Sequence, residues 1–164
     1  MEGFTRQETL ALTQITSSRL AYLDRTRVVV PQKYGNTKKP TVIYTWEQLL
    51  EIRTIANLRK QISLQMVRKL VAFLDEYGLD TRLYDKPLVA TPNEVFLVMP
   101  DWSDMPQVMK VADRGSDGMG QLVLLVLPPL NTVVEEIWDA ARQSNIVVFE
   151  SFKQRAKTLP TQAG

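Results

Sequence analysis

The sequence predicts an α+β protein whose helical first half carries a β-hairpin and whose second half mixes short strands with a helix. Three observations lead to this class. Hydroxyl residues at helix-capping spacing introduce four helical segments before residue 78. A β-branched run and a turn-rich basic segment separate the first two helices from the next two. After Arg82, strand-sized apolar runs alternate with breaks rich in Pro and Gly.

The first two predicted helices are short and adjacent. Thr5 and Glu8 have the spacing of a capping box, and Thr16 is a suitable N-cap for the second helix. Leu20 and Leu23 can turn inward, whereas the first turn of this helix is polar. Two short helices joined by a tight turn, with a polar start to the second, are typical of a helix-turn-helix that enters the major groove.

A β-hairpin is predicted after the second helix. Val28–Val30 and Thr41–Tyr44 favour strands, and Gly35–Pro40 between them is rich in turn residues. Lys38 and Lys39 lie at the tip of this hairpin. Such a hairpin can follow a phosphate backbone, where lysine needs only proximity to the charge.

Two more helices complete the predicted first domain. Thr45 and Gln48 repeat the capping-box spacing, Ser63 can cap the next helix, and Gly78 is a suitable terminator. The order helix, helix, hairpin wing, helix, helix predicts an N-terminal winged helix-turn-helix over residues 1–78.

The second half of the sequence has a different pattern. Its predicted elements are four strands, a helix and a final strand: Tyr84–Ala90, Glu94–Met99, Gln107–Ala112, Gln121–Leu127, Asn131–Arg142 and Ile146–Phe149. We interpret residues 79–157 as a small α/β domain for dimerisation or regulation, and residues 158–164 as a disordered tail.

Composition and charge narrow the function. The chain has no Cys and no His, which excludes disulfides and thiolate metal sites and removes the usual general base near neutral pH. We therefore expect no enzyme activity, no catalytic residues, no metal and no cofactor. Residues 1–77 carry 12 Lys and Arg against 7 Asp and Glu, whereas residues 78–164 carry 8 against 11. The positive first half indicates that this part alone meets a polyanion.

The sequence also predicts a location. No run of about 18 apolar residues is present. Glu2 and Arg6 interrupt the region where a secretory signal would be apolar. We therefore expect a cytoplasmic protein without a membrane partner, associated with the bacterial nucleoid when it is bound to DNA.

The order of elements over Phe4–Leu74 resembles the DNA-binding domain of the MerR family. The matching stretches are Ile15–Thr16, Arg19–Asp24, Val29–Pro31, Tyr44–Thr45 with Leu49 and Ile52, Leu58–Arg59, and Ser63–Leu64 with Val67. Two positions depart from the family pattern: Ala21 precedes Tyr22 where the family has arginine, and Arg27 lies where the family has glycine. A narrower resemblance, to small MerR-type repressors carried with CRISPR-associated transposons, rests on the compact size and the cysteine-free α/β second half.

The second helix and the hairpin are the expected DNA-binding surface. Arg19 can bridge guanine edges, and serine can reach a base or a phosphate. Tyr22 can contact phosphate or pack against the hairpin, and these two interpretations stay open. The predicted DNA-binding residues are Thr16, Ser17, Ser18, Arg19, Tyr22, Arg25, Lys33, Lys38, Lys39 and Tyr44.

We expect a homodimer, because two copies on a two-fold axis read a palindromic operator. The predicted interface residues are Val134, Ile137 and Trp138, on the apolar face of the helix in the second half. Because no sensor is evident, the expected regulator is a repressor that blocks access to a promoter. Two alternatives remain: an activator that binds a small-molecule effector near Trp102, and an antitoxin-like module whose second half captures a partner protein.

Overall fold

The computed structural model describes residues 2–60, 62–86, 88–90, 94–99, 107–113, 125–126 and 130–160. The protein is α+β, and its described part contains six helices and two antiparallel sheets. The chain forms two compact units, of which unit 1 combines Met1–Ala56 with Leu130–Gly164, and unit 2 is Asn57–Pro129. This division does not coincide with the predicted boundary after residue 78, because the C-terminal segment belongs to the same unit as the first helices.

The elements follow one another along the chain with short connections in unit 1. In chain order they are β1 Phe4–Thr5, α1 Arg6–Thr13, α2 Ser17–Arg25, β2 Gln32–Tyr34, β3 Thr41–Tyr44, α3 Trp46–Leu58, α4 Leu64–Glu76, β4 Leu88–Ala90, β5 Glu94–Met99, β6 Gln107–Asp113, β7 Leu125–Val126, α5 Leu130–Gln143 and α6 Phe149–Arg155.

The starts of α1 to α4 are set by local capping, as predicted. The Thr5 hydroxyl accepts a hydrogen bond from the backbone N–H of Glu8 at 3.2 Å, and the Glu8 carboxylate accepts one from the Thr5 N–H at 2.9 Å. The hydroxyls of Thr16, Thr45 and Ser63 likewise accept from a backbone N–H three residues later. Each bond satisfies a donor that the first helical turn leaves without a partner.

The hairpin exists, but its first strand lies later than predicted. β2 begins at Gln32, and Lys33 pairs with Val42 on β3. The prediction that Val28–Val30 forms the strand is wrong. The N–H groups of Val28 and Val29 both donate to the Leu23 carbonyl, so this segment closes the end of α2. β1, which the sequence did not reveal, adds a third strand in the order β1-β3-β2.

The C-terminal segment also differs from the prediction. Ile146–Phe149 is not a strand, because the Ser144 hydroxyl accepts from the N–H groups of Ile146 and Val147 and folds the chain into a turn before α6. Thr158 is not part of a frayed tail. Its hydroxyl accepts from the Trp46 indole at 3.0 Å, and its carbonyl accepts from the indole of the α5 tryptophan at 2.9 Å. Residues 161–164 lie outside the described residues.

An aromatic cluster forms the centre of unit 1. Phe152 on α6 contacts Phe4, Trp46, Trp138 and Phe149, with ring centroids 5.0 to 6.1 Å apart. These rings come from β1, α3, α5 and α6, so the cluster joins the N-terminal and C-terminal segments in one core.

The predicted dimer interface lies inside this core. Val134, Ile137 and Trp138 on α5 are only 1%, 0% and 5% exposed within the single chain. Their assignment to a dimer interface is wrong, because the apolar face of α5 is already covered within unit 1 and has no surface left for a second copy.

Two ion pairs connect the C-terminal helices to the rest of unit 1. The Arg155 guanidinium on α6 donates to both Glu8 carboxylate oxygens at 2.9 and 2.7 Å and to the Gly3 carbonyl at 2.9 Å. On α5, the Glu136 carboxylate accepts from Arg53 of α3. Since the Arg155 and Glu8 side chains are only 8% and 15% exposed, the first pair is strongly desolvated.

Unit 2 contains α4 and a four-stranded antiparallel sheet in the order β6-β5-β4-β7. The predicted strand Glu94–Met99 matches β5, and β6 extends the predicted Gln107–Ala112 by one residue. β4 is shorter than predicted, since it begins only at Leu88. β7 is described at Leu125–Val126, and the remainder of the predicted fourth strand lies outside the described residues.

Candidate nucleic-acid interface

α2 is held by one face and presents the other to solvent. Leu20 and Leu23 are fully buried, whereas Ser17 and Ser18 in the first turn are exposed. The Thr16 cap sets the point at which the helix begins, because its hydroxyl accepts from the Arg19 N–H at 3.3 Å. The cap and the two buried leucines therefore fix the position of the polar first turn of α2.

The hydroxyl groups at the start of α2 already have intramolecular partners. The Arg6 guanidinium donates to the Ser17 hydroxyl at 2.7 Å and to the Ser17 carbonyl at 3.1 Å. The hydroxyls of Thr16 and Ser18 are 3.3 Å apart. A hydroxyl has one donor and two acceptor positions, so Ser17 and Ser18 retain capacity for another group.

The cations along α2 differ in their surroundings. Arg19 is half-buried, and no carboxylate in the described ranges forms an ion pair with it. The Arg25 guanidinium lies over the Tyr22 ring, 5.7 Å from its centroid. Tyr22 is half-buried, so its ring supports Arg25 at the surface.

The tip of the hairpin is a basic turn. Gly35 has a φ of 84°, a conformation that favours glycine, and the Asn36 side chain accepts from the Lys38 N–H at 3.0 Å. Lys38 and Lys39 are both exposed. Within the described part of the chain, neither lysine forms an ion pair. Both ammonium groups are therefore available to an external anion.

Two other predicted contacts have different roles. Lys33 on β2 forms an ion pair with Asp24 on α2, with 2.7 Å between nitrogen and oxygen. Tyr44 is only 1% exposed, and its assignment to the DNA surface is wrong because it is part of the core. Burial raises the pKa of Tyr44, Asp24 acts in the same direction, and nearby Arg6 opposes the rise.

A basic cleft lies between α2 and β2. Its volume is about 370 Å³, and its lining residues are Arg6, Ala21, Asp24, Arg25, Arg27, Val30 and Lys33. Four of these side chains are cations and one is a carboxylate. Neither Arg6 nor Arg27 was among the predicted site residues. Arg27 lies in the basic stretch Thr16–Lys39, whereas Arg6 is the first residue of α1 and is far from that stretch in the sequence.

The described part of the chain shows no cluster of three or more acidic side chains that could hold a metal ion. None of the described helices is both long and apolar enough to span a bilayer. Trp102, beside which the alternative function places an effector pocket, lies outside the described residues.

A scan against protein-family models finds no match, and a search of curated proteins finds no similar sequence.

Proposed function

We propose that the chain is a sequence-specific regulator that binds duplex DNA through α2 and the β2–β3 hairpin. The observation that carries this proposal is the charge of one surface in unit 1. Between Thr16 and Lys39 this surface has six cations and only one acid, Asp24. Five of these six cations are exposed, and such a dense set on a helix, the turn after it and a hairpin suits a polyanion with regular spacing.

The dimensions and chemistry of α2 support a place in the major groove. Its nine residues make a helix about 13 Å long, and a major groove about 12 Å wide admits one helix. Arg19 would read guanine edges by a bidentate hydrogen bond. Lys38 and Lys39 would neutralise phosphates beside the groove, which fixes position without reading sequence.

The proposed regulator acts as a homodimeric repressor on a palindromic operator, since two copies double the number of base pairs that are read. The surface that joins the copies lies elsewhere than on the buried face of α5. Light scattering of the purified chain, with and without DNA, measures the number of copies.

Replacement of Arg19 by alanine is expected to abolish the specific peaks when bound DNA is mapped across a genome. Loss of a bidentate contact costs about 1–3 kcal/mol of base discrimination. The matched control is Lys153→Ala, which removes an exposed cation of α6 in the same unit. Unchanged peaks with Arg19→Ala would place the reading residues elsewhere.

Replacement of both Lys38 and Lys39 by alanine is expected to flatten the salt dependence of DNA binding. Each phosphate contact contributes about −0.9 to the slope of log K against log salt. The double variant should therefore lose about 1.8 units of slope, equally for specific and unrelated duplexes. Fluorescence anisotropy between low and moderate salt measures this, and a slope equal to that of the wild type would contradict the role of the hairpin tip.

A further inference from the structure

Arg27 has a backbone conformation that is unusual for its residue type. Its φ is 61°, in the left-handed region that a Cβ atom disfavours. The position closes α2, because the Arg27 N–H donates to the Asp24 carbonyl at 3.1 Å and the Val28 N–H donates to the Leu23 carbonyl at 2.9 Å. This pair of bonds is the Schellman motif, in which glycine is the usual residue.

The same chain uses glycine for the same task at the end of α4. Gly78 has a φ of 68°, its N–H donates to Asp75, and the Leu79 N–H donates to the Leu74 carbonyl at 2.8 Å. The two helix ends therefore share one hydrogen-bond pattern and differ in the residue at its centre. Arg27 therefore bears backbone strain that glycine avoids, as does Gln14 after α1 with a φ of 58°.

The Arg27 side chain lines the basic cleft between α2 and β2. Arg27 has no ion-pair partner among the residues that the structure describes. Asp24, the one carboxylate of the cleft, already pairs with Lys33. Four cations and one acid leave a formal charge of +3 around the space, so the single carboxylate of the cleft balances only one of its four cations.

The geometry points to a ligand of one chemistry: we propose that this cleft binds a phosphate group, with Arg27 as a principal donor. Guanidinium groups match phosphate oxygens with two parallel N–H bonds. Arg6 is held in place by its bonds to Ser17, which orders one donor before the ligand arrives. Ala21 contributes only a methyl group to the lining and leaves room between the cations.

The phosphate can come from the DNA backbone or from a free phosphate ester. The first source rests on the proposed function, because the cleft adjoins the helix and hairpin assigned to DNA. A phosphate in this position would lie between α2 and β2 and would fix the orientation of α2 relative to the duplex. The second source requires only the cleft.

The test compares Arg27→Gly, Arg27→Ala and the control Lys153→Ala. Arg27→Gly should raise the melting temperature by about 2–4 °C, because it removes the backbone strain. Arg27→Ala keeps the Cβ atom and should not gain this stability. Both Arg27 variants should lose about 0.9 units of salt slope for duplex DNA, and Lys153→Ala should lose none. A purely structural Arg27 would change stability without changing the slope.

A second arm titrates inorganic phosphate while NMR follows the arginine side-chain N–H signals. Saturable shifts in the wild type that both Arg27 variants lose would support the phosphate site. If the wild type binds DNA but the Arg27 variants change neither slope nor shifts, the phosphate site is overturned and the proposed function stands. If no duplex binds yet phosphate still shifts the signals through Arg27, the site stands with a free phosphate ester as its ligand, and the proposed function fails.

Discussion

A chain that ends at residue 129 is expected to lose the folded state of unit 1 completely. The deletion removes α5 and α6, whose side chains Val133, Val134, Ile137, Trp138 and Phe152 are all at most 5% exposed. Burial of one large apolar side chain contributes about 1.5–3 kcal/mol. Deletion of five such residues also leaves a cavity around Phe4 and Trp46, which adds to the free energy lost. Together these losses exceed the free energy of unfolding of a typical protein, about 5–15 kcal/mol.

Amide NMR spectra of chains 1–129 and 1–160 measure this effect. Signals from α1, α2 and the hairpin should collapse to unfolded positions in the shorter chain and should stay dispersed in the longer one. A fragment 1–78, which follows the predicted domain boundary, should behave like chain 1–129. Dispersed signals from residues 4–44 in either short chain would show that the N-terminal elements fold without the C-terminal helices.

Replacement of Arg155 by alanine is expected to destabilise unit 1 by about 3 kcal/mol or more. The change leaves the Glu8 carboxylate largely buried and without its cation, which is the costly way to break a buried pair. It also removes a guanidinium that lies 4.5 Å from the centroid of the Phe4 ring. Urea denaturation followed by tryptophan fluorescence gives the free energy of unfolding.

The control for this prediction is Lys153→Ala on the same helix. Lys153 forms an exposed pair with Glu150, and its loss should change stability by less than about 0.5 kcal/mol. Adding Glu8→Gln to Arg155→Ala should restore part of the loss, because the buried charge disappears. Equal effects of Arg155→Ala and Lys153→Ala would mean that the buried pair contributes no more than an exposed one.

The destabilisation by Arg155→Ala should also depend on pH. Burial acts to raise the pKa of Glu8, but the hydrogen bonds from Arg155 and from the Thr5 N–H outweigh it, so the pKa lies below its ordinary value. Ionised Glu8 therefore stabilises the folded state fully above the unfolded pKa of about 4.5. This contribution is lost as pH falls through the folded pKa, and the difference between wild type and Arg155→Ala should shrink on acidification.

Local signals in the sequence were sufficient for the starts of the first four helices. Thr5, Thr16, Thr45 and Ser63 each act on a backbone group only three residues away, so spacing alone identifies the cap. The end of α2 was different, because a left-handed arginine gives no sequence signal. The valines after it favour a strand. Two of their N–H groups instead donate to the Leu23 carbonyl, and these hydrogen bonds outweigh the strand propensity.

Long-range contacts were beyond sequence reasoning. Glu8 and Arg155 are 147 residues apart, and neither local spacing nor hydrophobic periodicity connects them. The predicted contact at Tyr44 failed for a related reason. The strand pattern does not show that β1 pairs with β3 beside it, where Phe4 is the partner of Tyr44 and both side chains are buried.

Only two of the four cations in the cleft lining, Arg25 and Lys33, were among the predicted site residues, and the shape of the cleft was not predicted. Ala21 and Arg27 were recognised only as departures from the resembled pattern, six positions apart in the sequence. The structure places both in the lining of one cleft, because the turn at the end of α2 brings Arg27 back toward the helix and β2. The turn that closes the cleft depends on the positive φ of Arg27, which cannot be predicted from an arginine in the sequence.

The interrupted course of unit 1 along the chain has a consequence for protein synthesis. The segment up to Ala56 leaves the ribosome first, yet its partner Arg155 is added only after the whole of unit 2. At 5–20 residues per second, this interval lasts about 5–20 seconds. During that time α1, α2 and the hairpin lack the helices that cover them, so unit 1 cannot complete its fold in a chain that has not yet reached α6 or that terminates before it.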